Sequence, residues 1–449
     1  MMWRWLVVAR VCCGVLVQQK QARLGLYYAA RTSEETGRRV RNRVEGRDAL
    51  GRLNSQDYAV EAGSAVCITG ATSGIGLELG LLLTRLGYDV VFCGRSAAKL
   101  EKAKRSAESL RGAGSSVKTA QFDLNSLEST ARGAEEVRLI LGDQKLGAVV
   151  LNAGSWPTIL ETTIDDFESG LQTNYLSQAL FVDRLALGKP ASVLCVSSIA
   201  HAFCDDLEFL LKDPSYEKSA FDSTKSYAAT KLMNILYAKE LGRRHAHLRT
   251  LAAHPGFIAD TNLWRSFDFV ASLEARVPDP LGLFATPFYQ AQSLATTAET
   301  FARAALDLLK GFDTVSPLPS PLKTPVDAAR DLAAALLDPT LNHGNYASDG
   351  ELTETVPIAD DPQLSHRLFD WTTRIFADRG FTLLSAASSQ EEEKEGGKAA
   401  TTTQDPRQDS EAPPLEEENK KLSGGDDDDD SNNNNDDDDQ GGGTSPPRL

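Results

Sequence analysis

Membrane-length apolar runs, metal-ligand clusters and paired cysteines are all missing from this 449-residue chain, and each absence removes a class of protein. The apolar stretch from Trp5 to Val17 falls short of the roughly 20 residues that span a bilayer, and Arg10 breaks it. The six cysteines, Cys12, Cys13, Cys67, Cys93, Cys195 and Cys204, show neither metal nor disulfide spacing, so no metal site is expected. A net charge of −16 leaves no basic surplus for a phosphate backbone, and nucleic acid is not an expected partner. A Gly-Lys-Ser/Thr triplet is missing too, which excludes a P-loop.

Acidic residues are absent from the first 33 positions, where Arg4, Arg10, Lys20, Arg23 and Arg31 stand. That bias is characteristic of an organelle transit peptide, mitochondrial or plastid, so residues 1–59 are read as a leader or targeting extension. Membrane association through Trp5 to Val17 and a short secretory signal are the competing readings. The other end is the reverse. From Gln390 to Leu449 there are 19 acidic and 6 basic residues, which places −13 of the net charge there. The runs Asp426 to Asp430, Asn432 to Asn435 and Asp436 to Asp439 offer nothing to bury, so residues 386–449 are expected to form a disordered tail. Its expected role is solubilising, with a partner-binding arm as the alternative.

Between these ends, short apolar runs alternate with helical periodicity. Ser64 to Ile68, Asp89 to Cys93, Ser116 to Phe122, Ala148 to Leu151, Ser192 to Val196 and Thr250 to Ala253 read as buried parallel strands. Strands recurring with a helix between them predict a single α/β domain over residues 60–385, a Rossmann-type doubly wound parallel sheet. Ligands in such sheets sit beyond the carboxyl ends of the strands.

The first strand is followed by Thr69-Gly70-Ala71-Thr72-Ser73-Gly74-Ile75-Gly76 and then by a helical pattern. Strand, glycine turn and helix N-terminus are what a dinucleotide pyrophosphate needs: the backbone can approach closely, and free N–H groups meet the negative charge. The spacing is G-x-x-x-G-x-G rather than G-x-G-x-x-G. After the second strand, where an acidic residue would select NAD, stands Arg95, whose planar fork suits a 2′-phosphate. NADP(H) is therefore the expected cofactor.

Tyr227 and Lys231 lie at i and i+4 of a helical stretch and so share a face. A tyrosine hydroxyl ordinarily titrates near 10, too high for easy proton transfer at neutral pH; a neighbouring ammonium is expected to lower it.

Taken in order, the glycine turn, Asn152-Ala153-Gly154, Asn174, Ser197-Ser198, Tyr227-x-x-x-Lys231 and His254-Pro255-Gly256 resemble the fingerprint of the short-chain dehydrogenase/reductase family. The resemblance is strong over residues 60–260 and continues less clearly to about 385. It implies that Gly70, Thr72, Ser73, Gly74, Ile75 and Gly76 hold the pyrophosphate. It makes Asp123 and Leu124 the adenine contact, and Asn152, Ala153 and Gly154 a mostly structural turn beside the cofactor. It gives Pro255, Gly256, Ile258 and Thr261 to the nicotinamide end and Lys231 to its ribose. Ser198 would hydrogen-bond the substrate oxygen that Tyr227 protonates, and Asn174 would hold a water linking Lys231 to solvent. His201 is read as a loop histidine rather than a second acid.

The 29-residue interval from Ser198 to Tyr227 resembles the retinol-dehydrogenase and protochlorophyllide-reductase branches. The segment 262–325, with apolar Leu281 to Tyr289, falls where that family carries its substrate lid, which implies a lipophilic substrate. The reading is an NADP(H)-dependent oxidoreductase that moves hydride between nicotinamide and a carbonyl or alcohol of a retinoid, steroid, fatty aldehyde or similar molecule. The alternatives are a reductase of a carbon–carbon double bond and a non-catalytic NADP(H)-sensing scaffold. A homo-oligomer is left open.

Overall fold

The computed structural model describes residues 49–112, 114–258 and 322–381, all within one compact unit. The leader before residue 49, Thr261, most of the expected lid and the acidic tail lie outside the described residues.

The chain alternates strand and helix as its periodicity predicts: β1 (Ala65–Ile68), α1 (Gly74–Arg85), β2 (Asp89–Gly94), α2 (Ala97–Glu108), β3 (Val117–Gln121), α3 (Leu127–Leu141), β4 (Leu146–Leu151), α4 (Ser177–Arg184), β5 (Leu187–Val196), α5 (Ser223–Arg244) and β6 (Leu248–His254). Then come β7 (Phe257–Ile258), β8 (Leu322–Lys323), α6 (Pro325–Leu337), β9 (Asn345–Ser348), β10 (Glu351–Leu352) and α7 (Pro362–Asp378). Among the described residues the main sheet has eight strands, in the order β10-β9-β6-β5-β4-β1-β2-β3. Every neighbouring pair is parallel except the edge pair β9–β10.

Two cores show why the sheet is wound on both faces. Successive strand side chains point to opposite faces. Val66, Ile68, Val90, Phe92, Val150 and Leu194 pack with residues of α1, α2 and α6. Their neighbours Cys67, Val91, Val149 and Val193 pack with α3, α4 and α5. Strands buried on both faces must be apolar at every position, which is why they appear in the sequence as continuous runs. Glycine makes one layer thin: a Cβ on Gly80 of α1 would lie 2.4 Å from Phe92 Cε1, so this helix settles directly on β2.

Strand order reverses at β1, which lies between β2 and β4, and the carboxyl ends there form the crevice where such folds take ligands. Residues 49–59, read from sequence as part of the leader, are instead docked on the sheet domain. Ala49 and Leu50 are buried, Arg52 pairs with Glu351, and the Ala59 N–H donates to the Leu337 carbonyl at 2.9 Å. A short helix, Ala49–Arg52, finds an apolar surface supplied by distant α6, which local composition does not show. A second, two-stranded parallel pair, β7–β8, joins Phe257 to Leu322 and Ile258 to Lys323.

Candidate active site

The glycine turn leaves β1 and enters α1 under tight steric limits. Gly70 has φ +65°, and a Cβ there would meet the Ala153 Cα at 2.8 Å. A Cβ on Gly76 would lie 2.4 Å from Asn152 Nδ2 and 2.6 Å from the Gly70 carbonyl oxygen. Gly74, at φ +55°, faces open space instead, with nothing within 4 Å of a built Cβ. Ser73, the N-cap of α1, makes no side-chain capping hydrogen bond. Open space in front of an α-helix N-terminus without a side-chain cap suits an anionic pyrophosphate, so the residues present fit the dinucleotide. Thr72 packs against Gly94, where a Cβ would be 2.8 Å from Thr72 Cγ2, and Ile75 is half-buried behind the turn.

Thr69 is the hub beneath this turn and was not singled out from sequence. Fully buried, its hydroxyl accepts from the Asn152 and Ala153 N–H groups, both at 3.0 Å, and donates to Gln178 Oε1 at 3.1 Å. Gln178 Nε2 donates in turn to the Ala153 carbonyl at 2.9 Å, and Asn152 Nδ2 to that of Thr69 at 2.9 Å. The signal was available: a hydroxyl residue at a buried strand end must find partners.

Around the crevice, Arg95 is exposed after β2, and its carbonyl accepts from Gln121 Nε2 at 3.2 Å. Asp123 closes a turn, its Oδ1 accepting from the Asn125 N–H at 3.0 Å. Leu124 is buried and its carbonyl accepts from the Ser177 hydroxyl at 2.6 Å. Gly256, at φ +89°, lies directly over Lys323, and Ile258 beyond it is buried.

Deeper in the crevice, α5 brings Tyr227 and Lys231 onto one face, as their spacing predicts. Tyr227 is 6% exposed, and its hydroxyl interacts with the Ser198 side chain. Ser198 caps the short helix Ile199–Phe203 through a 3.2 Å bond from the Ala200 N–H. Lys231 is 4% exposed; its Nζ donates to the Val196 carbonyl at 3.1 Å and lies 5.5 Å from the Tyr227 ring centroid. Its neighbour Ser197 donates to the Lys231 carbonyl at 2.7 Å, so each serine of the pair has its own task.

The expected direction of the tyrosine shift is reversed. Burial pushes the Tyr227 hydroxyl above its ordinary value, with the Ser198 hydrogen bond pulling the other way. Burial also lowers Lys231 to about 8. A phenol and an ammonium in one dry pocket both lose solvation, and that loss sets the direction of both shifts. His201 is not a loop residue but a fully buried member of the Ile199–Phe203 turn, its Nδ1 2.7 Å from the Ser198 carbonyl oxygen.

Asn174 sits in a π-helical turn, Gln172–Leu176, a device frequent at functional sites. A Cβ added at Gly154 would lie 3.4 Å from both Asn174 Oδ1 and Lys231 Nζ, so Asn174, Gly154 and Lys231 converge. Trp156, two residues on and not singled out from sequence, stacks on Tyr227 with centroids 4.3 Å apart and planes within 4°. Glu168 was also missed. Buried, it accepts from the Gly170 and Leu171 N–H groups at 2.7 Å and from the Ser226 hydroxyl at 3.0 Å, linking the turn that carries Asn174 to α5.

Residues 64–203 match the family described as short chain dehydrogenase. Human WW domain-containing oxidoreductase is 30% identical over 314 residues, 66% of this chain and 72% of that protein. The chain belongs to the short-chain dehydrogenase/reductase family. Within it the chain falls in the retinol-dehydrogenase-like branch: mouse retinol dehydrogenase 13 is 29% identical over 299 residues, 63% of this chain and 86% of that protein. A crystal structure of an uncharacterized Mycobacterium paratuberculosis protein covers 74% of this chain and 98% of its own, with TM-score 0.50 and 24% identity, and shares the fold. As a short-chain dehydrogenase/reductase the chain is an oxidoreductase of the nicotinamide-binding kind.

Proposed function

We propose that this oxidoreductase interconverts a carbonyl and an alcohol on a lipophilic small molecule with NADP(H), using Tyr227 as the proton donor in reduction. The observation that carries the reading is the buried Tyr227–Ser198 hydroxyl pair with Lys231 one helical turn further along α5.

When bound, the nicotinamide supplies or accepts the hydride. Gly70, Gly74, Gly76 and the α1 N-terminus would hold the pyrophosphate, Arg95 the 2′-phosphate, Asp123 and Leu124 the adenine, and Lys231 the nicotinamide ribose. Arg95 supports NADP(H) over NAD(H) because an exposed guanidinium at this strand end has a charge-assisted partner in a 2′-phosphate.

Tyr227, held protonated by burial, donates its hydroxyl proton to the substrate oxygen as negative charge develops there. Ser198, on the same hydroxyl, orients that oxygen. Lys231 stands ready to stabilise the phenolate that remains, and with Asn174 beside Gly154 it marks the route by which the proton is replaced. A lipophilic substrate is supported by exposed apolar side chains in the segments that follow Trp156 and Ser198 along the chain. Ile159 and Leu160, just beyond Trp156, are 56% and 40% exposed, and Phe203, five residues after Ser198, is 39% exposed. The names of the retinol dehydrogenase relatives agree with that class.

The test is NADPH oxidation by the full chain across retinoid, steroid, quinone and fatty aldehyde carbonyls. Turnover of an apolar carbonyl with NADPH well above NADH supports the reading; tight NADPH binding without turnover of any carbonyl overturns it.

A further inference from the structure

Tyr227 has one face covered by a side chain that belongs to neither the proton path nor the cofactor turn. Trp156 follows the strand-end motif Asn152-Ala153-Gly154, and its indole lies parallel to the phenol, centroids 4.3 Å apart and planes 4° from coplanar. Offset stacking at this separation is attractive and restricts both rings. The indole is itself fixed at a second point. Trp156 Nε1 donates to Ser223 Oγ at 3.0 Å, and Ser223 Oγ donates to the Pro157 carbonyl at 2.6 Å. Ser223 and Tyr227 are i and i+4 of α5, so the indole grips one face of this helix across a full turn.

The loop beneath Trp156 is equally well held, because Asn174 clamps the main chain of Ser155 from both sides. A ring anchored at both ends can set the rotamer of the ring it touches.

We propose that Trp156 is a positioning residue for Tyr227: its stacked, hydrogen-bonded indole holds the phenol ring in the orientation that aims the hydroxyl at Ser198 and the substrate oxygen. This rests on the proposed carbonyl chemistry for its consequence but not for its geometry. A proton donor misplaced by about 1 Å can lose on the order of 100-fold in rate, so the grip would be felt in kcat.

The experiment uses the full chain labelled with 3-fluorotyrosine, the Tyr227 resonance being assigned by its disappearance in Tyr227→Phe. A parallel indole over the ring displaces that resonance upfield. Trp156→Leu should return it toward the position of free fluorotyrosine, and Trp156→Phe should retain most of the displacement. In turnover with NADPH, Trp156→Leu should lower kcat by roughly 10- to 100-fold with KM for NADPH little changed, and Trp156→Phe should recover most of it. Ser223→Ala removes the indole's anchor together with the bond to the Pro157 carbonyl while leaving the ring in place, guards against a Trp156→Leu chain that does not fold, and should lower kcat in the same direction by less. Two results overturn the proposal: a Tyr227 resonance that ignores both Trp156 substitutions, or a Trp156→Leu enzyme whose sole defect is a raised KM for the carbonyl. The fluorine spectra read the stack whether or not any carbonyl is reduced, so failure of the proposed reaction is distinguishable from failure of this assignment.

Discussion

Asn174 and Ser155 are joined by two hydrogen bonds, the Ser155 N–H donating to Asn174 Oδ1 at 2.8 Å and Asn174 Nδ2 donating to the Ser155 carbonyl at 2.9 Å. The side-chain amide thus behaves like one residue of a neighbouring strand. Its Nδ2 also reaches Thr230 Oγ1 at 3.0 Å, between Tyr227 and Lys231 on α5. One 1%-exposed side chain therefore ties the loop after β4 to the helix that carries the proton donor. Asn174→Leu would strand these groups away from water, and each unsatisfied buried polar group costs about 1–3 kcal/mol. The expected loss of stability in urea is on the order of 2–4 kcal/mol. An unchanged midpoint would contradict the clamp.

Gly76→Ala tests the cofactor turn. The added methyl would meet Asn152 Nδ2, on the segment after β4, and the Gly70 carbonyl oxygen of the turn itself, both well inside contact distance. Overpacking of this kind costs roughly 1–3 kcal/mol, and here the backbone that yields is the one expected to approach the pyrophosphate. Fluorescence titration should show NADPH affinity falling by about tenfold or more, the equivalent of 1.4 kcal/mol. Wild-type affinity would remove the turn from the binding site.

The parts legible in the sequence are those whose geometry is local. Gly70 and Gly74 shape a turn through their own positive φ, and Tyr227 and Lys231 share a face through helical period alone. Partners that meet across the fold were not legible: Trp156 reaches Tyr227 from 71 positions away, and Thr69 finds Asn152 and Gln178 on two other elements. The direction of the Tyr227 shift failed for a related reason, since spacing brings an ammonium near but says nothing of how dry the pocket is. Residues 49–59 read as leader because their docking surface on α6 lies nearly 280 positions downstream. Thr261 and the apolar segment 281–289 lie outside the described residues and keep their sequence reading alone.

Acid should destabilise the fold through His254 at the end of β6. Burial, aided by the Lys323 charge, lowers its pKa from 6.5 to about 3. As pH falls below 6.5 the unfolded chain takes up this proton and the folded chain does not, so stability present above pH 6.5 is lost on the way down. Between pH 6.5 and 4 the loss is on the order of 3 kcal/mol, since each pH unit over which only one state is protonated is worth about 1.4 kcal/mol. His254→Gln should flatten urea stability over this interval; an unaltered slope would assign the acid sensitivity elsewhere.

Arg95→Asp tests the choice of cofactor. It removes a charge-assisted contact and places a like charge beside the proposed 2′-phosphate, which should weaken NADPH binding by on the order of 2–5 kcal/mol. NADH, which lacks that phosphate, should be affected far less. Equal losses for the two cofactors would show that Arg95 does not read the phosphate.

The central claim is that Tyr227 moves the proton, and Tyr227→Phe tests it most directly. The substitution deletes one hydroxyl and keeps the ring, so the stack with Trp156 and the Lys231 bond to the Val196 carbonyl should both survive. NADPH affinity, by fluorescence titration, should stay within a few-fold of wild type. Turnover of any carbonyl reduced by the wild type should fall by roughly 100- to 10,000-fold at pH 7, or about 3–5.5 kcal/mol in barrier. Turnover that survives the loss of this hydroxyl, with NADPH still bound, would contradict the mechanism.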